Sequence, residues 1–177
     1  MYSYSVMAST DEQKAQFSAF FVRYREHFSR DMLLDEALLH LLNYLEQSSI
    51  ILTYNERDQV IGALNYWRTA DETGEDEFAY DADGRLVYLS SALIAPEERS
   101  SRVFMHGFRD WINEMHKQAP ELHTVIFTAR ADIAYINQLY RKFARHCGHR
   151  EGLHGMENIY KANFTELHHF LNRLKSK

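Results

Sequence analysis

The stretch RHCGHREGLHG sets His146, Cys147, His149 and His154 within nine residues. These side-chain types suit zinc, yet the run lacks the two-pair ligand spacing of structural zinc sites. Cys147 could act as a nucleophile if a neighbouring base and a cationic setting favoured its thiolate, and the histidines offer such a base. Arg141, Lys142, Arg145 and Arg150 surround the run. They make it a cationic loop, open to a phosphate, an acidic partner or nucleic acid, or a plain solvated helix face. A second stretch, RTADETGEDEFAYDADGR, carries seven carboxylates between Asp71 and Asp83. Its DADG segment has the start of a calcium loop without the remaining ligand spacing or the closing bidentate glutamate, so it reads as a solvated hairpin loop.

Composition narrows the field. The chain has 177 residues, of which 45% are aliphatic or aromatic, with eleven Phe and eleven Tyr. That is enough apolar material for one well-filled core, and a single domain over 1–177 is the expectation. A net charge of -5 with interspersed signs argues against a dedicated nucleic-acid binder. One cysteine cannot form an intramolecular disulfide, which fits a reducing compartment. Residues 1–7 are short and polar-aromatic, and no long apolar run occurs, so a cytoplasmic protein without a membrane segment is expected.

The elements that must position these residues follow from periodicity. Thr10 and Gln13 form a capping box ahead of Phe17, Phe20, Phe21, Tyr24 and Phe28 at helical spacing. A second helix is expected over 31–47, with Leu34, Leu38, Leu41, Leu42 and Leu45 as its core stripe, widened by Leu33 and Ala37. Runs 50–54 and 59–67 around the polar tetrapeptide 55–58 predict a hairpin. A strand over 85–94 holds Ser90 and Ser91, which read as structural hydroxyls. Pro96, Glu97 and Glu98 suit a helix start, and Phe104, Phe108, Trp111, Ile112 and Met115 continue it. Then come a strand over 123–129, a helix from Asp132 to about 147, a strand in MENIYKANF and a helix over 165–175. Leu167, Phe170, Leu171 and Leu174 give that last helix one apolar face, for docking or for pairing in a homodimer. The order implies an α/β (α+β) fold whose mixed sheet carries helices on both faces.

Two segments carry a resemblance. LIAPEERSSRVF is similar to a strand-Pro-Glu-x-Arg-x-x-Gly-x-Gly/Ala turn through Pro96, Glu97 and Arg99, and INQLYRKFA is similar to a Leu-Tyr-x-Lys helix through Leu139, Tyr140 and Lys142. Set about forty residues apart with a strand between, they make residues 50–164 resemble the GCN5-related N-acetyltransferase (GNAT) superfamily. The resemblance implies a mostly antiparallel mixed sheet and transfer of an acetyl group from acetyl-CoA to an amine of a small molecule or protein. It implies cofactor contacts at Ala92, Ile94, Arg99, Ser100, Ser101 and Arg102, and Tyr140 as the acid that protonates the leaving thiolate. Glu97, Glu98 and His106 lie near the strand end as candidate bases.

The sequence also departs from the pattern. Arg102 and Phe104 stand at the two small positions of the turn, and Ala144 and Arg145 replace the closing Gly-Phe of the helix. Small residues let a pyrophosphate approach the main chain. An arginine fork can replace that fit with charge, whereas Phe104 crowds it or belongs to the core beside Phe108 and Trp111. The alternative expectation is a non-catalytic member of the fold, a protein-interaction or regulatory module using the acidic 71–83 loop, the basic 141–150 segment or the last helix.

Overall fold

The computed structural model describes residues 3–29, 32–75, 77–99, 101–152 and 154–173, and of residues 101 and 102 the backbone. The chain gathers into two compact units, Met1–Tyr66 with Ser91–Trp111, and Trp67–Ser90 with Ile112–Lys177.

In the first unit, α1 (Asp11–Phe28) starts at the expected capping box, where Thr10 Oγ1 accepts from Gln13 N at 3.2 Å and Gln13 Oε1 accepts from Thr10 N at 3.1 Å. It kinks at Tyr24 and buries Phe17, Phe20 and Phe21. α2 (Leu34–Gln47) begins later than residue 31, which itself lies outside the described residues. Its leucine stripe is not all core. Only Ala37, Leu41 and Tyr44 are buried, whereas Leu33, Leu34, Leu38, Leu39 and Leu42 are 46–64% exposed. The helix packs on one edge of its apolar arc, at i, i+4 and i+7, with Tyr44 edge-on to Phe21 at 5.6 Å.

A strand beyond those that periodicity predicts, β1 (Ser3–Met7), pairs antiparallel with β2 (Ser49–Asn55) from Ser3↔Asn55 to Met7↔Ile51. Five residues are too few to show a period, so its pairing partner decides its state. β2 turns into β3 (Val60–Thr69) as the hairpin signal predicted. Asn55 Oδ1 accepts from the backbone of Arg57 and Gln59, and Asp58 takes the left-handed φ of 55°. β4 (Leu86–Ile94) ends in this unit, followed by a 3-10 turn, Pro96–Glu98, and then α3 (Ser101–Gln118). Phe108 and Trp111 of α3 stack at 5.3 Å, and Trp111 meets Tyr66 edge-on at 5.4 Å.

In the second unit, β4 runs parallel to β5 (Thr124–Arg130) from Leu86↔Thr124 to Leu89↔Phe127. The expected helix from Asp132 to 147 is corrected. α4 spans only Ala134–Tyr140, and the His-Cys run forms a strand, β6 (Arg145–Gly152), antiparallel to β7 (Gly155–Asn163). Gly148 and Gly152 disfavour a helix there, and the ladder to β7 satisfies the backbone instead. α5 (Phe164–Arg173) buries Leu167 and Leu171, and Leu174 lies outside the described residues.

Among the described residues the strand order is β1-β2-β3-β4-β5-β7-β6, a seven-stranded, mostly antiparallel mixed sheet accompanied by five α-helices. Among the described residues no helix is long and apolar enough to cross a membrane.

Candidate functional site

Where the sequence suggests a phosphate turn, the chain makes a 3-10 turn and starts α3 only at Ser101. Arg102 and Phe104 are thus the second and fourth helical residues, and the main chain of Ser101, Arg102 and Val103 supplies N–H groups that a helix leaves without an internal acceptor. The first turn of α3 holds no acidic residue, unlike α1 with Asp11 and Glu12 or α2 with Asp35 and Glu36. The positive end of its dipole is therefore not offset by a carboxylate within that turn. Arg99 is exposed and, among the described residues, makes no ion pair. Ser100 and the side chains of Ser101 and Arg102 lie outside the described residues.

Phe104 is half-buried, with its ring 5.5 Å from that of Phe108 one turn on. It lines a cavity of about 20 Å³ together with Ile51, Gly62, Leu64, Ala92 and Ile94. That volume holds about one water. The structure thus brings Ala92, Ile94 and Phe104 together as apolar lining inside the first unit. Ser91 is structural: its Oγ donates to buried Asn65 Oδ1 at 3.0 Å, and Asn65 Nδ2 donates to Ser48 Oγ at 3.0 Å. Among the candidate bases, Glu97 accepts from Tyr24 Oη at 3.0 Å. Its own backbone N–H and that hydroxyl hold its carboxyl below the usual carboxylate range, which weakens it as a proton acceptor.

Tyr140, in the second unit, closes α4 and is 6% exposed. Its ring meets Phe127 at 5.1 Å, Phe143 at 5.9 Å and Tyr160 at 5.7 Å. Burial pushes its hydroxyl well above the ordinary tyrosine value, with nearby Tyr88 adding to the shift. It stays protonated at neutral pH, as a proton donor must. Asn137, one turn earlier on α4, was not singled out by the sequence. Its Nδ2 donates to Arg130 O at 2.7 Å and Ile133 O at 2.8 Å, and its Oδ1 accepts from Asn158 Nδ2 at 2.8 Å and Tyr160 Oη at 2.7 Å. It ties α4 to β5 and β7.

The acidic loop is solvated as expected, with Glu72, Glu75, Glu77 and Asp83 exposed, and it is also anchored, a second signal the composition hid. Asp71 Oδ1 accepts from Thr73 N and Gly74 N, each at 2.8 Å, and Oδ2 accepts from Phe78 N at 3.1 Å. Phe78 is fully buried, 4.5 Å from Tyr88 by ring centroid, and the Arg150 guanidinium covers it at 5.0 Å. Arg150 also donates to Glu157 at 2.9 Å and to Tyr88 Oη at 3.3 Å. Arg150 thus has a structural role in the second unit. Among the described residues no three His, Cys, Asp or Glu side chains gather as a metal site would need.

No family model and no curated protein matches the sequence. Solved structures do match. A putative GNAT-family acetyltransferase from Desulfovibrio desulfuricans superposes with a TM-score of 0.67 over 92% of this chain and 99% of its own, at 10% identity. The fold is the GNAT fold. The ribosomal-protein-S5-alanine acetyltransferase from Vibrio fischeri gives 0.66 over 92% and 93%, at 10% identity. The ribosomal-protein-alanine N-acetyltransferase from Brucella melitensis gives 0.62 over 90% and 99%, at 16% identity. At such identities the GNAT likeness speaks for the backbone path, and the chemistry must be argued from this chain's own residues.

Proposed function

We propose that this GNAT-fold chain transfers an acetyl group from acetyl-CoA to an amine of a small molecule or protein. The observation that carries the reading is the start of α3: no carboxylate in its first turn, Arg99 before it exposed and without an ion pair among the described residues, and Phe104 packed along the helix onto Phe108. Such a terminus suits a pyrophosphate, because its backbone N–H groups and its dipole both favour negative charge. Arg99, Ser100, Ser101 and Arg102 would hold the phosphates.

Acetyl-CoA supplies an acyl group activated as a thioester. A neutral amine forms the new C–N bond as the C–S bond breaks, and Tyr140 gives its hydroxyl proton to the sulfur. The ammonium proton passes to a base or to water, and Tyr140 is reprotonated from solvent in the next cycle. General-acid help of this kind contributes about 10²–10⁴-fold in rate.

Thermal unfolding in millimolar acetyl-CoA, and separately in CoA, tests the reading. A ligand at about a hundred times its dissociation constant adds about 2.7 kcal/mol of stability. No shift with either compound rejects cofactor binding. Arg102→Glu should abolish the shift, and a shift that survives would place the pyrophosphate elsewhere.

A second reading, a non-catalytic interaction module, is favoured by the exposed leucines of α2. An intact fold with no response to either compound is its signature.

A further inference from the structure

The second unit contains a cavity of about 470 Å³, a volume typical of small-molecule sites, at one end of β5 and β7. Arg145, Lys161, Glu72 and Glu166 line it, together with Phe143 and Leu86. Arg145 and Lys161 are direct cross-strand partners on β6 and β7, so two cations share one face of the sheet. Like charges placed opposite each other on paired strands are unfavourable. A carboxylate would relieve them, yet among the described residues neither cation has one within ion-pairing distance, and neither Glu72 nor Glu166 has a cation. Four charges, two of each sign, therefore border one cavity without contacting one another.

This pattern discriminates between ligand classes. A simple anion drawn to Arg145 and Lys161 meets Glu72 and Glu166, and a simple cation meets the reverse. A molecule carrying both charges satisfies both pairs. The remaining wall mixes polar Thr124 and Asn163 with an apolar part, Phe143, Leu86 and Ala162. Phe143 packs on Phe127 at 5.7 Å and on Phe170 at 6.0 Å, and Leu86 is buried in the core. We propose that this cavity binds a free α-amino acid with an apolar side chain. Its carboxylate would lie between Arg145 and Lys161, its ammonium group toward Glu72 and Glu166, and its side chain on Phe143 and Leu86. The site includes neither Tyr140 nor any residue of α3, so it stands or falls separately from acetyl transfer.

Calorimetric titration of the whole chain with L-phenylalanine and L-leucine tests this, with 3-phenylpropanoate and 2-phenylethylamine as the two half-molecules. Saturable millimolar binding of an amino acid is expected, with each half-molecule weaker by about tenfold or more, the value of one charge-assisted hydrogen bond. Arg145→Gln and Lys161→Gln should weaken the amino acid by a similar factor. Glu166→Gln should weaken the amino acid while improving 3-phenylpropanoate, which guards against a trivial loss of fold. Absence of saturable binding by both amino acids overturns the proposal. So does a half-molecule that binds equally well, or binding that survives both cation substitutions.

Discussion

Tyr160 donates its hydroxyl proton to Asn137 Oδ1 across 2.7 Å, with both side chains buried. The bond joins β7 to the helix that ends in Tyr140, whose ring lies 5.7 Å from that of Tyr160. Asn137→Ala leaves a buried hydroxyl and the Arg130 carbonyl without this partner, a loss of about 1–3 kcal/mol measurable by urea unfolding. Tyr160→Phe removes the donor and leaves Asn137 its Asn158 contact, so it should cost less.

Tyr140 makes alkaline stability informative. Its folded-state pKa is raised by burial, so folded and unfolded chains are equally protonated below about pH 10 and this group adds no slope there. As pH rises beyond that, the unfolded chain loses the proton first and stability falls by up to about 1.4 kcal/mol per pH unit. Tyr140→Phe should flatten that decline in urea midpoints taken across the alkaline range. An unchanged slope would contradict the buried hydroxyl.

Asp71 works at the other end of the scale. Partial burial raises its carboxyl, but the N–H groups of Gly74, Thr73 and Phe78 and the Thr73 hydroxyl outweigh that and hold it below the usual range. The stability it contributes is present above the unfolded value of about pH 3.9 and is lost as pH falls through its lower folded value. Asp71→Ala should cost about 1–2 kcal/mol at neutral pH. The difference from the parent should narrow in acid, as followed by Trp67 fluorescence, since Trp67 Nε1 donates to Phe78 O at 2.6 Å.

Gly107 on α3 lies where an added Cβ would come within 2.9 Å of Thr53 Oγ1. A helical Gly→Ala change ordinarily gains about 1 kcal/mol. Here Gly107→Ala should destabilise instead, whereas in a Thr53→Ala background it should recover the ordinary gain. A double-mutant cycle from unfolding curves measures the reversal.

Much of this architecture could be read from the sequence, because periodicity reports local geometry. The Thr10–Gln13 box, the 55–58 turn and the buried strands all follow from spacing that needs no partner. The failures have a common cause in long-range pairing. β1 and β6 become strands through neighbours distant in sequence or across a hairpin, and Leu38 differs from Leu41 only by which edge of α2 the core covers. At the candidate site, Arg99 and Tyr140 were legible as motif positions. The late start of α3 was hidden by Pro96 and the two glutamates, which suit a 3-10 turn as well as a helix. Asn137 was hidden because a lone Asn in a helix carries no pattern; its role appears only once β5 and β7 flank it.

The last strand in the sheet order, β6, is an edge, and its run of histidines and arginines acquires a meaning there beyond ligation. An open edge offers unpaired N–H and C=O groups to any passing strand. His146, Cys147 and His149 are exposed, and the register slips between His146 and Gly148, leaving Cys147 out of step with β7. Polar side chains and a bulge at such an edge keep a second chain from zipping onto the sheet. The same residues that look like a metal cluster in one dimension are thus of the kind that disfavours fibre-like pairing at an open edge, whereas a smooth Val-rich strand in that place would favour it.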